Sequence, residues 1–265
     1  MNKNKSKRSH LTFFNEFGRL IPRIPGPKSR AFSRRRYIIE QPELNYSEIY
    51  ERIKNFLGTD QISLKEFEEK IDKTINIIKK DNGIKNILNG VVVPFILPKI
   101  SNLEDIGIEL ENTFLPAVKR SFNKYFPDYD FTNHHKSSLA GVLNIEPGSR
   151  NEEILNRVQN ETLVGLLFPC ITDFSHESTI SNISFLPKKL ILAGGFEVCS
   201  SIVGSPNLLY RYSGYPPLLW LSGLSTGKAG VGYHFESYGY NLTFNRRPHL
   251  DKVSEYWCSS LVYLS

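Results

Sequence analysis

The spacing of apolar residues changes along this chain, and that change limits the fold more than any single motif does. In the first half apolar positions recur three and four apart: Ile49, Ile53, Phe56 and Leu57, then Phe67, Ile71, Ile75 and Ile78, then Ile106, Leu110, Phe114, Ala117 and Phe122. Such spacing places them on one stripe of a helix. Beyond Pro216, residues 218–221, 231–236, 238–244 and 260–264 are aromatic-rich and partly alternating, which reads as strands. Helices first and strands later argue against regular βαβ units. They predict an α+β fold: a helical N-terminal half packed on an antiparallel or mixed sheet formed mainly by the C-terminal third.

Local signals set the expected boundaries. Gly58 ends the first helical run, and Ser63-Leu64-Lys65-Glu66 is a capping box opening the second. The same pattern at Ser101-Asn102-Leu103-Glu104 and at Ser149-Arg150-Asn151-Glu152 predicts two further helix starts. Pro116 lies inside the third apolar run and predicts a kink or two abutting helices. Residues 91–97 and 163–168 read as strands, 127–138 as a polar loop and 195–203 as a helix stopped by Gly204. Ser205-Pro206 predicts a short helix over 207–211.

Charge divides the chain. The net charge of +6 is the sum of unlike parts. Residues 1–36 carry eleven Lys and Arg against one acid, Glu16, a balance of +10; the remaining 22 basic and 26 acidic residues leave −4. The expected organisation is a basic N-terminal arm over 1–36 and a single α+β domain over 37–265. Leu11, Phe13, Phe14, Phe17, Leu20 and Ile21 give the arm a short stretch of near-helical amphipathic spacing. Basic residues interleaved with phenylalanines suit nucleic-acid phosphates and bases or an anionic membrane surface. The acidic body favours a docked arm over either.

Composition excludes several classes. Apolar residues at 40% and aromatics at 12% are too many for a disordered chain. Cys170, Cys199 and Cys258 are too few for a disulfide framework and fit a reducing compartment. No apolar run reaches membrane-spanning length, and no apolar core or cleavage site follows the basic start. The expectation is a soluble, cytoplasmic protein.

Candidate chemistry concentrates between Tyr233 and His249. On a strand, His234, Glu236 and Tyr238 share a face, as do Asn241, Thr243 and Asn245 on the next. Tyr240, Arg246 and Arg247 complete a polar–aromatic surface able to contact a small ligand, a peptide or a partner protein. A metal version adds His249 to His234 and Glu236 as two histidines and a carboxylate. Asp128, Asp130, His134 and His135 form a looser second cluster without diagnostic ligand spacing. Cys170 followed by His176 is a weak nucleophile–base candidate. The glycine-rich Gly223–Gly230 segment fails as a phosphate loop: three residues separate Gly223 from Gly227, and Ala229 follows Lys228. These residues leave the cofactor unknown. The function expected from these residues is non-catalytic recognition through the C-terminal polar–aromatic face; the alternative is an enzyme using the His/Glu or Cys/His pair. Nucleic acid is the less favoured partner.

Overall fold

Helix α1 (Tyr46–Leu57) opens at Asn45, whose side chain accepts from the Glu48 N–H, and stops at Gly58 in the left-handed conformation, φ 74°. Helix α2 (Leu64–Lys80) carries the complete Ser63–Glu66 capping box. The structure is a computed structural model, and it describes residues 12–24, 39–59, 61–210, 217–248 and 250–265. The third run is α3 (Ile106–Glu109), a π-helical turn (Leu110–Phe114) and α4 (Leu115–Tyr125), abutting end to end. It starts at Asp105 rather than Ser101, because the Asp105 carboxylate accepts from the Ile108 N–H at 2.7 Å. Pro116 falls just past the π turn, in the first turn of α4.

Strands β1 (Val93–Leu97), β4 (Leu163–Thr172), β6 (Leu218–Trp220), β8 (Val231–Tyr238), β9 (Asn241–Pro248) and β10 (Trp257–Leu264) form most of one mixed sheet. Its order is β1-β4-β10-β6-β8-β9-β2, with β2 (Phe131–Asn133) on one edge and β5 (Ile191–Leu192) paired to β10. The β6–β10 and β2–β9 pairings are parallel and the others antiparallel. A separate two-stranded ladder joins β3 (Leu143–Asn144) to β7 (Ser225–Thr226). Helices α5 (Asn151–Val158), α6 (His176–Ile183) and α7 (Gly195–Gly204) complete the fold, which is α+β with the sheet largely C-terminal. Among the described residues no helix is long and apolar enough to cross a membrane.

The β1–β4 end is covered on both sides. Every β1 residue is buried, as is every residue of α7. The free edge of β1 is closed by side chains. Ser200 Oγ accepts from Ile96 N and donates to Ile96 O, and the Gln41 amide makes the same exchange with Val92. An unpaired strand edge is otherwise a template for aggregation.

Part of the basic arm joins this core. The spacing over 11–21 does not give a helix in residues 12–21. Asn15 Oδ1 accepts from the Phe17 and Arg19 N–H groups, Gly18 adopts φ 76°, and Phe14 pairs with Leu20 across the turn. Phe14 is fully buried, and Leu20 donates its N–H to the Cys170 carbonyl at 2.9 Å. Gly18 meets Gly90 so closely that a Cβ on Gly18 would lie 2.4 Å from Gly90 N. Arg23 donates to the Thr12 carbonyl and covers the Phe13 ring. Residues 1–11 and 25–36 lie outside the described residues.

Three further local expectations are corrected. The loop over 127–138 contains β2, because Asp130 N is captured by Asn241 Oδ1 at 2.8 Å and aligns the chain with β9. Helix α5 is preceded by Arg150, not capped by Ser149: Glu152 accepts from Gly148 N, and Ser149 Oγ has no hydrogen-bond partner among the described residues. Residues 206–209 form turns rather than the start of a helix, and residue 211 is not described.

Candidate functional site

The β8–β9 hairpin carries most of the residues singled out in the sequence, and its alternation separates them. Tyr238 pairs with Asn241 across a two-residue turn, Gly239-Tyr240, with Gly239 at φ 63° as that tight connection requires. Tyr233, Phe235, Leu242 and Phe244 face the main core. His234, Glu236 and Arg247 share the opposite face, whereas Arg246 falls on the Tyr233 side. The tip residues have separate roles. Tyr238 is 76% exposed, Tyr240 stacks on Tyr210, and Asn241 holds β2.

The second face is a partly buried polar–aromatic cluster. Trp220, Trp257, Leu218 and Leu250 form a small core of their own, with His234 edge-on to Trp220 at 5.0 Å between ring centroids. Arg247 reaches Glu236 at 3.1 and 3.3 Å and Tyr256 Oη at 3.0 Å. His234 Nε2 lies 3.7 Å from Glu236 Oε2, beyond hydrogen-bond range. Neither His234 nitrogen has a hydrogen-bond partner among the described residues, and the residue is fully buried. Burial lowers the His234 pKa, so the ring is neutral at pH 7. Burial pushes the Glu236 carboxyl up, but His234 and Arg247 outweigh it and hold the carboxyl below its ordinary value. The His234 ring is thus neutral and closed off from solvent in this arrangement.

The other candidates lie apart. His249 is outside the described residues, so the His234–Glu236–His249 set has no geometry here. Among the described residues no cluster of three metal-ligating side chains occurs. Cys170 sits at a bulge, the extra residue of β4 between those facing Ser259 and Ser260. Burial drives its thiol well above the ordinary value, which disfavours a thiolate. Among the described residues no hydrogen bond joins it to His176, which opens α6. All three cysteines are free and buried.

The main-core side of the hairpin ends in a cavity of about 340 Å³ at the β3–β7 ladder, lined by His135, Ser138, Thr226, Lys228, Tyr233 and Arg246 among others. Its walls are tied in place. Glu111, on the π turn, accepts from Ser138 Oγ and Leu139 N, and Asp105 accepts from Gly141 N. Thr226 Oγ1 donates to the Lys228 and Val231 carbonyls, folding back the glycine-rich loop. The nearby carboxylates are therefore engaged with backbone and hydroxyl groups, and no acidic side chain is among the described residues that line the cavity.

Cations remain. Neither Lys228 nor Arg246 has a carboxylate partner among the described residues. His135 Nε2 faces the Ser138 carbonyl at 3.4 Å, and its Nδ1 faces Tyr233 Oη at 3.3 Å. A carbonyl only accepts, so in the neutral ring Nε2 carries the proton and Tyr233 donates to Nδ1. Burial raises the Tyr233 pKa, against an opposing pull from Arg246, so the phenol keeps its proton at pH 7.

Of this constellation the sequence alone singles out Arg246, and His135 only within a loose metal-type cluster; it misses Lys228 and Tyr233. Strict alternation along the hairpin is the available signal, since it separates Arg246 from Arg247 and joins it to Tyr233. Compared with known families, curated proteins and solved structures, the chain matches none.

Proposed function

We propose that the protein is a non-catalytic binding protein that recognises a small anionic ligand in the cavity beside the β3–β7 ladder. The observation that carries this reading is the pairing of Lys228 and Arg246, both without carboxylate partners among the described residues, at a cavity of about 340 Å³ with no acid on its described walls. Two cations beside a cavity attract a negative charge, and a hydrogen bond to a charged group is worth about 1.5–3 kcal/mol. Ser138, His135 and Tyr233 supply polar contacts that orient the rest of the ligand. The His234–Glu236–Arg247 face then acts as scaffold, holding the back of the same hairpin.

Isothermal titration of the full chain with phosphate, citrate and a nucleoside monophosphate tests this. At least one anion is expected to bind, more weakly as salt rises. Lys228→Ala and Arg246→Ala are each expected to weaken it tenfold, equivalent to about 1.4 kcal/mol. Both side chains are exposed, so the melting temperature is expected to stay near wild type. Absence of binding by all three anions, or binding indifferent to both substitutions, would count against the proposal.

A further inference from the structure

A second cavity lies on the other side of the β3–β7 ladder, and we infer that it binds a small uncharged molecule with an apolar body and one hydrogen-bonding head group. The ladder separates the two: Thr226 borders the basic cavity and Ser225 this one. Its volume is about 350 Å³, and it is walled by the start of α5, one face of α6 and residues 222–225.

The apolar wall is Ile180, Ile183, Leu192 and Leu224. Ile180 is 42% exposed, so a large aliphatic side chain is left open beside the cavity. Covering it with an apolar group is favourable by about 25 cal/mol for each Å² removed from water.

At the polar end the cavity differs from its basic neighbour. Arg150 is its one cationic side chain among the described residues, apart from the titratable His176. The Arg150 guanidinium donates to the carbonyls of Leu186, Pro187 and Leu190 at 2.7–2.9 Å. Its charge thus serves to close the 186–190 turn. Glu146 stands exposed on the rim and repels an anion. Asn151 donates to the Leu192 carbonyl at 2.8 Å, and Ser222 is paired with Ser259 at 2.7 Å. Ser149 Oγ and His176 Nδ1, on two residues lining this cavity, are buried atoms without a hydrogen-bond partner among the described residues. Unpaired buried polar atoms are uncommon and costly, and two of them belong to residues that line one cavity here. Burial also lowers the His176 pKa, against the pull of Glu177 and Glu146, which leaves a neutral ring at pH 7. Neutral polar groups beside an apolar wall select a hydroxyl or amide head over a charged one, because a buried charge without a partner is far more costly.

The test is a titration of the full chain, followed by amide NMR, with 1-hexanol, hexanoate and hexylamine, which share a chain and differ in charge. Hexanol is expected to shift the amides of Asn151, His176 and Gly223, at a half-saturation at least tenfold below those of hexanoate and hexylamine at the same amides. Ile180→Lys, at an exposed position and with its melting temperature checked, is expected to weaken hexanol at least tenfold. Equal or tighter binding of either charged analogue at these amides would overturn the inference. So would an absence of hexanol shifts up to its solubility, or an Ile180→Lys variant that binds like wild type.

Discussion

The two ends of the sheet bury aromatic and aliphatic side chains alike, but they treat polar groups differently. At the β1–β4 end the backbone groups of Ile96, and of Val92 just before β1, are matched by Ser200 and Gln41. Nearer the middle of the molecule, the one acidic side chain of α7, Glu197, is buried beside Leu224 with the Gly194 N–H as its partner at 2.9 Å. At the β8–β9 end alternation sends Arg246 to one side and Arg247 to the other. One cation is paired with Glu236, and the other is left facing a cavity. An end whose strand edge is matched gains stability. An end with unmatched cations gives up some of that stability and can recognise something.

Substitutions can break that comparison. The largest effect is expected from Phe95→Ala. The Phe95 ring lies over Gly165, where an added Cβ would come within 2.5 Å of Cζ, so the gap left by truncation cannot be filled by a side chain at that position. A loss of about 3–5 kcal/mol is expected in urea unfolding. Anion affinity should remain unchanged below the transition, since the cavity is at the opposite end.

Glu197→Gln comes next. Burial raises the Glu197 pKa to about 7 from an ordinary 4.5, against hydrogen bonds from backbone N–H groups. The folded state therefore holds a proton that the unfolded chain releases. The stability this contributes is present below pH 4.5 and is lost as pH rises to about 7, on the order of 3 kcal/mol across that window. In Gln the amide oxygen still accepts from Gly194, and the loss should vanish. Unfolding curves at pH 5 and pH 7.5 for both proteins decide it.

Gly18→Ala tests whether the docked arm belongs to the same cooperative unit. Its φ of 76° and the 2.4 Å approach to Gly90 N both oppose a Cβ. About 1–3 kcal/mol should be lost. Cleavage within residues 12–24 by a protease should quicken. Unchanged melting would mean that the arm docks without stabilising the core.

The smallest effect is expected from His234→Phe. It replaces a buried ring with two unpartnered nitrogens, so the change at pH 7.5 should stay within about 1 kcal/mol. The pH dependence should change more. The folded pKa lies below the ordinary 6.5, so the unfolded chain takes the proton first and stability falls as pH drops through 6.5. The variant should lose that part of the acid slope. Keeping the full slope would show that His234 is not the neutral, sealed residue described above.

Some of this architecture is legible in the sequence alone. The Ser63–Glu66 box and the Gly58 stop formed as expected, because capping involves groups only a few residues apart. Identical patterns at Ser101 and Ser149 did not cap helices. At the first, Asp105 supplied the cap and also holds Gly141; at the second, Glu152 turned to Gly148. The apolar spacing gave a turn within residues 12–21, because Asn15 captured two amides and Cys170 offered a carbonyl distant in sequence. In the hairpin the residue types were legible and their grouping was not. Arg246 and Arg247 are neighbours in the chain and belong to different sites.

The sequence by itself determined the α+β class and the better-capped helices, since each depends on periods of two or 3.6 residues and on local hydrogen bonds. Only the tertiary structure decided which charges stay free. Whether Lys228 and Arg246 meet a carboxylate depends on where Asp105 and Glu111 point, more than a hundred residues away. Those two acids are held by the 138–141 loop instead. Electrostatic pairing follows distance in space, and no local period in the chain encodes it.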